Sequence, residues 1–211
     1  MTLEQTFDEA FAAVPLVAIL RGITPDHVVP VTEVLSQAGW RLVEVPLNSP
    51  DPLASIRRLA DHFAGRMLVG AGTVLSVDQV GAVADAGGQL IVSPNQSAAV
   101  IRASKMRGLI SLPGVQTATE CFAALDAGAD GLKLFPAETI SPAAVKSLRA
   151  VLPASTRVLA VGGITLTNMQ HYVAAGCNGF GIGGSLYRPG ATSSEVALVA
   201  KQFVERAAAI R

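Results

Sequence analysis

One phrase recurs along this chain and limits what it can become. A helical pattern closes on Ala-Gly and a short apolar run follows at once. The pairs Ala38-Gly39, Ala86-Gly87, Ala127-Gly128 and Ala175-Gly176 all have this form. Glycine supplies the left-handed turn that ends a helix without a Cβ penalty, so each pair marks a helix stop just before a strand. Apolar runs occupy 17–20, 42–45, 67–69, 90–92, 109–112, 131–135, 157–161 and 179–182. They are apolar on both faces, as strands of a buried parallel sheet are.

Helix starts lie between the runs. Ser76 with Gln79, Thr117 with Glu120 and Thr192 with Glu195 have capping-box spacing, while Ser49-Pro50 and Ser141-Pro142 put a cap before a proline at the first helical position. About eight strand–helix units in 211 residues predict a compact (β/α)8 barrel, one domain over 1–211. A doubly wound sheet also alternates in this way, but the count near eight favours the barrel. Residues 1–14 read as an extra helix across the barrel bottom. Pro30 predicts a kink or a late start in the first helix after that.

Composition excludes several classes of function. Half the residues are hydrophobic and 15% are charged, enough apolar material for a sizeable core. Basic and acidic side chains balance at 16 each, with no basic stripe, so neither nucleic acid nor an anionic membrane is the expected partner. The N-terminus lacks a basic, then apolar, leader, and no run is long enough to span a bilayer; the expected compartment is the cytoplasm. Cys121 and Cys177 have neither redox nor metal spacing and read as buried packing. His27, His62 and His171 fall in helices with no ligand spacing, so no metal is expected. Trp40 reads as packing, and Lys105, Lys146 and Lys201 as solvated surface residues.

Two strands carry a charge where a core strand should carry none. Gly131-Leu132-Lys133-Leu134-Phe135-Pro136 has an ammonium at its centre, and Arg41-Leu42-Val43-Glu44-Val45-Pro46 a carboxylate. Strand side chains alternate, so if Leu132, Leu134, Val43 and Val45 pack outward on helices, Lys133 and Glu44 point into the barrel. Arg21 and Thr73 would join them at the strand ends. The plainer alternative is a buried Lys133–Glu44 ion pair that only shapes the core. The functional alternative is an amine nucleophile with a general acid/base, since desolvation lowers a lysine pKa and frees its lone pair. Glu44 opposes that shift, whereas desolvation and Arg21 favour it. Glycines end two further strands, at Val161-Gly162-Gly163 and Gly183-Gly184-Ser185, where barrels often hold phosphate on backbone N–H groups. With no net charge, such a site would rest on dipoles rather than clustered cations.

Together, Ile19-Leu20-Arg21-Gly22, Glu44-Val45-Pro46-Leu47-Asn48-Ser49-Pro50, Gly70-Ala71-Gly72-Thr73-Val74-Leu75, Leu132-Lys133-Leu134-Phe135-Pro136 and the two glycine ends resemble the class I 2-keto-3-deoxy-6-phosphogluconate and -galactonate aldolases. The resemblance implies that Lys133 forms a Schiff base and Glu44 moves protons, with no cofactor. It places Arg21, Thr73, Pro94, Phe135 and Val161 at the substrate, and Gly162, Gly163, Gly183, Gly184 and Ser185 at its phosphate. It implies a phosphorylated keto-acid as substrate, pyruvate as a product, and a homotrimer. Asn48 and Val161, where the gluconate type carries Arg and Thr, point to the galactonate branch. Other readings are the gluconate enzyme itself, a phosphate-binding barrel such as an isomerase or a thiamine phosphate synthase, and a non-catalytic phosphosugar sensor.

Overall fold

The computed structural model describes residues 2–210; Met1 and Arg211, the ends of the expected 1–14 and 1–211 segments, lie outside it. The chain opens with α1 (Leu3–Ala13). It then alternates through β1 (Leu16–Ile19), α2 (Pro25–Gln37), β2 (Leu42–Pro46), α3 (Pro52–His62), β3 (Leu68–Gly72), α4 (Val77–Asp85), β4 (Leu90–Val92), α5 (Ala98–Met106) and β5 (Ile110–Leu112). β6 (Gly114–Val115), α6 (Ala118–Asp126), β7 (Leu132–Leu134), α7 (Pro142–Arg149), β8 (Val158–Val161), α8 (Met169–Ala174), β9 (Gly179–Ile182) and α9 (Ser193–Ala209) complete it.

All pairings are parallel, and the strand order is β5-β4-β3-β2-β1-β9-β8-β7-β6. The two edge strands, β5 and β6, are consecutive in sequence and separated by Pro113 alone. They are one broken stave: β5 pairs with β4, β6 with β7. Proline has no N–H to give the ladder, which accounts for the break. Across the seam the Asp130 N–H donates to the Ser111 carbonyl (3.0 Å) and the Lys133 N–H to that of Pro113 (2.9 Å). The expected eight units are therefore present as nine strands, with the fifth run continuing past the proline, and the fold is a TIM-like barrel.

Local signals hold in most places. Gly39, Gly87, Gly128 and Gly176 all have positive φ, between 84° and 102°. Thr117 with Glu120, and Thr192 with Glu195, form complete capping boxes. Ser76 caps Gln79, whose side chain turns to the Leu75 N–H instead. Ser141 caps α7. Ser49-Pro50 does not start α3. The helix begins one proline later, at Pro52, because the Ser49 hydroxyl accepts a hydrogen bond from the Gly22 N–H (2.9 Å) of the neighbouring loop, after β1. Nor does α2 start late: it begins at Pro25 and runs on through Pro30. Arg58 braces its first turn, donating to the Pro25 carbonyl and pairing with Asp26.

There are two apolar layers. Between strands and helices lie Val43, Val45, Leu132, Leu134, Ala160 and Ile182 with the inner faces of the helices. Inside the barrel lie Val17, Ile19, Leu42, Leu68, Leu90, Ile110, Leu112, Leu159 and Val161, with Phe7 and Phe11 of α1 packed beneath them. α1 thus lays Phe7 and Phe11 against the inward-facing strand residues, a stopper at that end of the barrel. Trp40 is fully buried and its indole N–H donates to the Ala200 carbonyl (3.1 Å), a packing role. Cys121 and Cys177 are free and buried. Burial pushes their thiols up to about 11 and about 12, away from nucleophilic use.

Lys105 departs from its surface reading. Its ammonium meets Asp130 at 2.7 Å, Glu4 at 3.2 Å and the Leu109 carbonyl at 3.2 Å, tying α5 to α1 and to the turn that leads into β7. A long aliphatic stem lets a lysine reach these groups from the surface of its helix. Among the described residues, no helix is long and apolar enough to cross a membrane.

Candidate active site

Lys133 sits at the centre of β7 and Glu44 at the centre of β2, on opposite sides of the ring. Leu132, Leu134, Val43 and Val45 pack outward, so both charged side chains point inward, as alternation required. Lys133 is 6% exposed and Glu44 2%. They share a small hollow with Val17, Ile19, Val92, Leu112 and Leu159, a lining with nothing to solvate a charge.

The two charges feel each other without touching. Glu44 Oε2 is buried with no hydrogen-bond partner, and Lys133 acts on it through Coulomb attraction alone. The core ion pair is therefore not what these residues form. Burial pushes the Glu44 carboxyl up to about 7, against the pull of Lys133 and Arg21. For Lys133 the dominant influence is also burial, which lowers its pKa; Glu44 raises it and Arg21 lowers it further. Desolvation thus wins over the neighbouring carboxylate. The Lys133 Nζ stands 4.5 Å above the centroid of the Phe135 ring, which walls off one side.

Above the hollow, a cavity of about 350 Å³ opens at the C-terminal ends of β1, β7, β8 and β9. Lys133, Arg21, Phe135, Val161, Gly162, Gly163, Gly183, Gly184 and Ser185 all line it. Gly162 and Gly163 have φ of 102° and 63°, a left-handed pair that turns the chain back under the cavity. After Gly183 the chain makes a single turn, with the Leu186 and Tyr187 N–H groups donating to the Gly183 carbonyl. The Ser185 hydroxyl donates to the Ile164 carbonyl (2.7 Å), clasping the two glycine ends together, while its oxygen can still accept.

Thr73 and Pro94 stand on the same rim, after β3 and β4, but outside the cavity lining. Thr73 has φ of +59°, uncommon for a β-branched residue. Such strain costs about 1–3 kcal/mol and gathers at functional sites. The carbonyl of Pro94 lies against Gly114, where an added Cβ would come within 2.2 Å of it.

Sequence reasoning missed Arg188 as a site residue. It lines the cavity beside Gly184, its Nε donating to the Gly184 carbonyl (3.1 Å). The glycine end therefore has a side-chain cation as well as backbone dipoles. Its signal was present in Ser185-Leu186-Tyr187-Arg188, where an arginine follows a glycine turn. A larger groove, about 500 Å³, lies at the other end of the barrel against α1, lined by Leu3, Glu9, Arg41 and Gln89 among others, remote from the buried amine.

The chain is similar to known aldolases over most of its length. Residues 7–201 match the family model "Aldolase: KDPG and KHG aldolase". The 2-dehydro-3-deoxy-6-phosphogalactonate aldolase of Escherichia coli (strain K12) is 47% identical over 191 residues, 90% of this chain and 93% of that one. The KHG/KDPG aldolase of the same organism is 32% identical over 162 residues, 76% and 75% of the two chains. A solved structure reported as "Native KDPGal structure" superposes with a TM-score of 0.92 at 45% identity, covering 93% of this chain and 96% of that one. A buried inward lysine, a carboxylate across the ring and two glycine ends are thus found in a chain that belongs to the KDPG and KHG aldolase family.

Proposed function

We propose that this protein is a Schiff-base aldolase that cleaves 2-dehydro-3-deoxy-6-phosphogalactonate to pyruvate and D-glyceraldehyde 3-phosphate. The observation that carries the reading is the Lys133 amine, held inside the barrel at the floor of an open cavity and depressed in pKa by burial. The neutral amine attacks the C2 ketone of the keto-acid to give a carbinolamine. Loss of water gives a protonated imine, an electron sink. Glu44, poised near neutrality, takes the proton of the C4 hydroxyl. The C3–C4 electrons flow into the imine, the aldehyde leaves, and an enamine of pyruvate remains on Lys133. Protonation at C3 and addition of water release pyruvate and restore the amine.

The rest of the cavity orients the substrate. Gly162, Gly163, Gly183, Gly184 and Ser185, with Arg188, take the phosphate, while Arg21 meets the carboxylate end. Phe135 and Val161 shape its walls, and Thr73 and Pro94 stand on the rim outside them. Binding energy from the distant phosphate then fixes the reacting carbons over Lys133. The galactonate epimer is favoured over the gluconate one because the galactonate relative is the more similar of the two, 47% against 32%. Val161 in the cavity wall is the side chain to which we assign that choice. Exposed Leu75, Val77 and Phe122 give the chain apolar surface for self-association, and a cytoplasmic homotrimer is the assembly we propose.

The test is reduction with borohydride in the presence of pyruvate, followed by mass mapping. An adduct on Lys133, lost in Lys133→Met, is expected. No adduct in the unaltered protein would remove the imine from the mechanism and leave a phosphate-binding barrel of another kind.

A further inference from the structure

Arg21 is the long, exposed side chain at the mouth, and something must hold it. A free guanidinium samples many rotamers and exerts little steady field on groups beneath it. Here its Nη1 donates to Asn48 Oδ1. Asn48 belongs to the turn that follows β2, and that turn is fastened on three sides. The Leu47 N–H donates to the Gly72 carbonyl at the end of β3 (2.8 Å), and the Ser49 N–H to that of Pro46 (2.9 Å). The Ser49 hydroxyl accepts from the Gly22 N–H, the residue next to Arg21 (2.9 Å). Backbone and side chain of the Arg21-Gly22 pair are therefore both bound to one short stretch, 48–49, which is itself fixed to the strand carrying Glu44.

We infer that Asn48 is a positioning residue of the aldolase reaction: it holds the Arg21 guanidinium on the cavity wall that also carries Lys133. The inference rests on the aldolase reading. It concerns charge placement rather than contact with substrate. Among the described residues, the charged groups around this part of the cavity are Glu44 from β2, Lys133 from β7 and Arg188 from the turn after β9, with the Glu138 carboxylate of the turn after β7 against Gly163 at its edge. Arg21 bears on the first two together, favouring an ionised Glu44 and a neutral Lys133, the pair of states in which attack begins. An asparagine suits the task because it accepts without charge. A carboxylate in its place would hold the guanidinium and cancel its field.

The experiment is the pH dependence of pyruvate–borohydride trapping on Lys133 in the intact protein, with Asn48→Ala, Arg21→Ala and the double variant. Asn48 is exposed, so its truncation leaves the core alone, and circular dichroism checks the fold. The unaltered protein defines a midpoint for trapping. In Asn48→Ala the released guanidinium favours Lys133 less as a neutral amine, so the midpoint moves to higher pH by about half a unit. Arg21→Ala moves it at least as far, and adding Asn48→Ala to it moves it no further. A midpoint in Asn48→Ala equal to that of the unaltered protein overturns the inference. So does an undiminished effect of Asn48→Ala in the Arg21→Ala background. Absence of trapping in the unaltered protein is a different failure, of the aldolase reading itself.

Discussion

Gly72 gives up a side chain so that Glu44 can keep its carboxylate. A Cβ on Gly72 would stand 1.4 Å from Glu44 Oε2, which lies buried against β3 without a hydrogen-bond partner. In Gly72→Ala the carboxylate must therefore move. If Glu44 is the proton carrier, turnover falls by about 10²-fold or more, while pyruvate trapping on Lys133 survives. Steady-state rates set against adduct yield separate the two effects.

Burial of Glu44 also sets a pH dependence of stability. Its folded-state pKa, about 7, lies above the ordinary 4.5. The contribution is complete below about 4.5, where the group is neutral in both states, and is lost as pH rises through 7. Glu44→Gln removes that loss. The variant should gain on the unaltered protein between pH 5 and 8, by about 3 kcal/mol at most. Lys133, with its pKa lowered, has the opposite slope, so Lys133→Met gains as pH falls. Urea unfolding at a series of pH values reads both, and parallel curves for all three proteins would contradict the burial argument.

The loops after β1 and β9 meet at Gly22 and Pro189. Gly22 has φ of +79°, and a Cβ there would approach Pro189 Cγ to 2.7 Å. Gly22→Ala should cost about 1–2 kcal/mol in stability. It should also raise KM, because Arg21 and Arg188 are the chain neighbours of the two residues forced apart. Denaturant unfolding and Michaelis kinetics measure the two parts.

Lys105→Met tests the network under the barrel. Its partner Asp130 is mostly buried and also accepts from the Ser111 N–H (2.8 Å). Removing the ammonium leaves that carboxylate short of a cation, at a cost of about 1–3 kcal/mol. Activity per folded molecule should not change, as the network lies far from the amine.

Val161→Thr addresses the proposed epimer choice. A hydroxyl in the cavity wall gives the other C4 configuration a partner, and the ratio of kcat/KM values should move toward the gluconate epimer by about tenfold. Parallel assays of both keto-acids decide it. An unaltered protein that already prefers the gluconate epimer would contradict the assignment of this branch.

Much of this architecture is written in short-range chemistry. The helix-ending glycines, the capping boxes and the alternation that aims Lys133 and Glu44 inward depend on neighbours a few residues apart, so the sequence shows them. What it hides are relations across the ring. Ser49-Pro50 looks like a helix start, yet Ser49 serves a backbone amide of another loop. Lys105 looks solvated, yet Asp130 and Glu4 wait for it from distant elements. Arg188 joins the site only because β9 closes beside β1. Even the split fifth stave, legible in principle from Pro113, needed the pairings on both of its sides to be seen.

The stopper of Phe7 and Phe11 gives the barrel a blind end. Among the described residues the mouth is then the entrance to Lys133, and the water expelled in forming an imine must leave by the route the keto-acid took in. In the proposed cycle the departing aldehyde must clear that same doorway before another molecule can enter, so product and substrate queue for one opening.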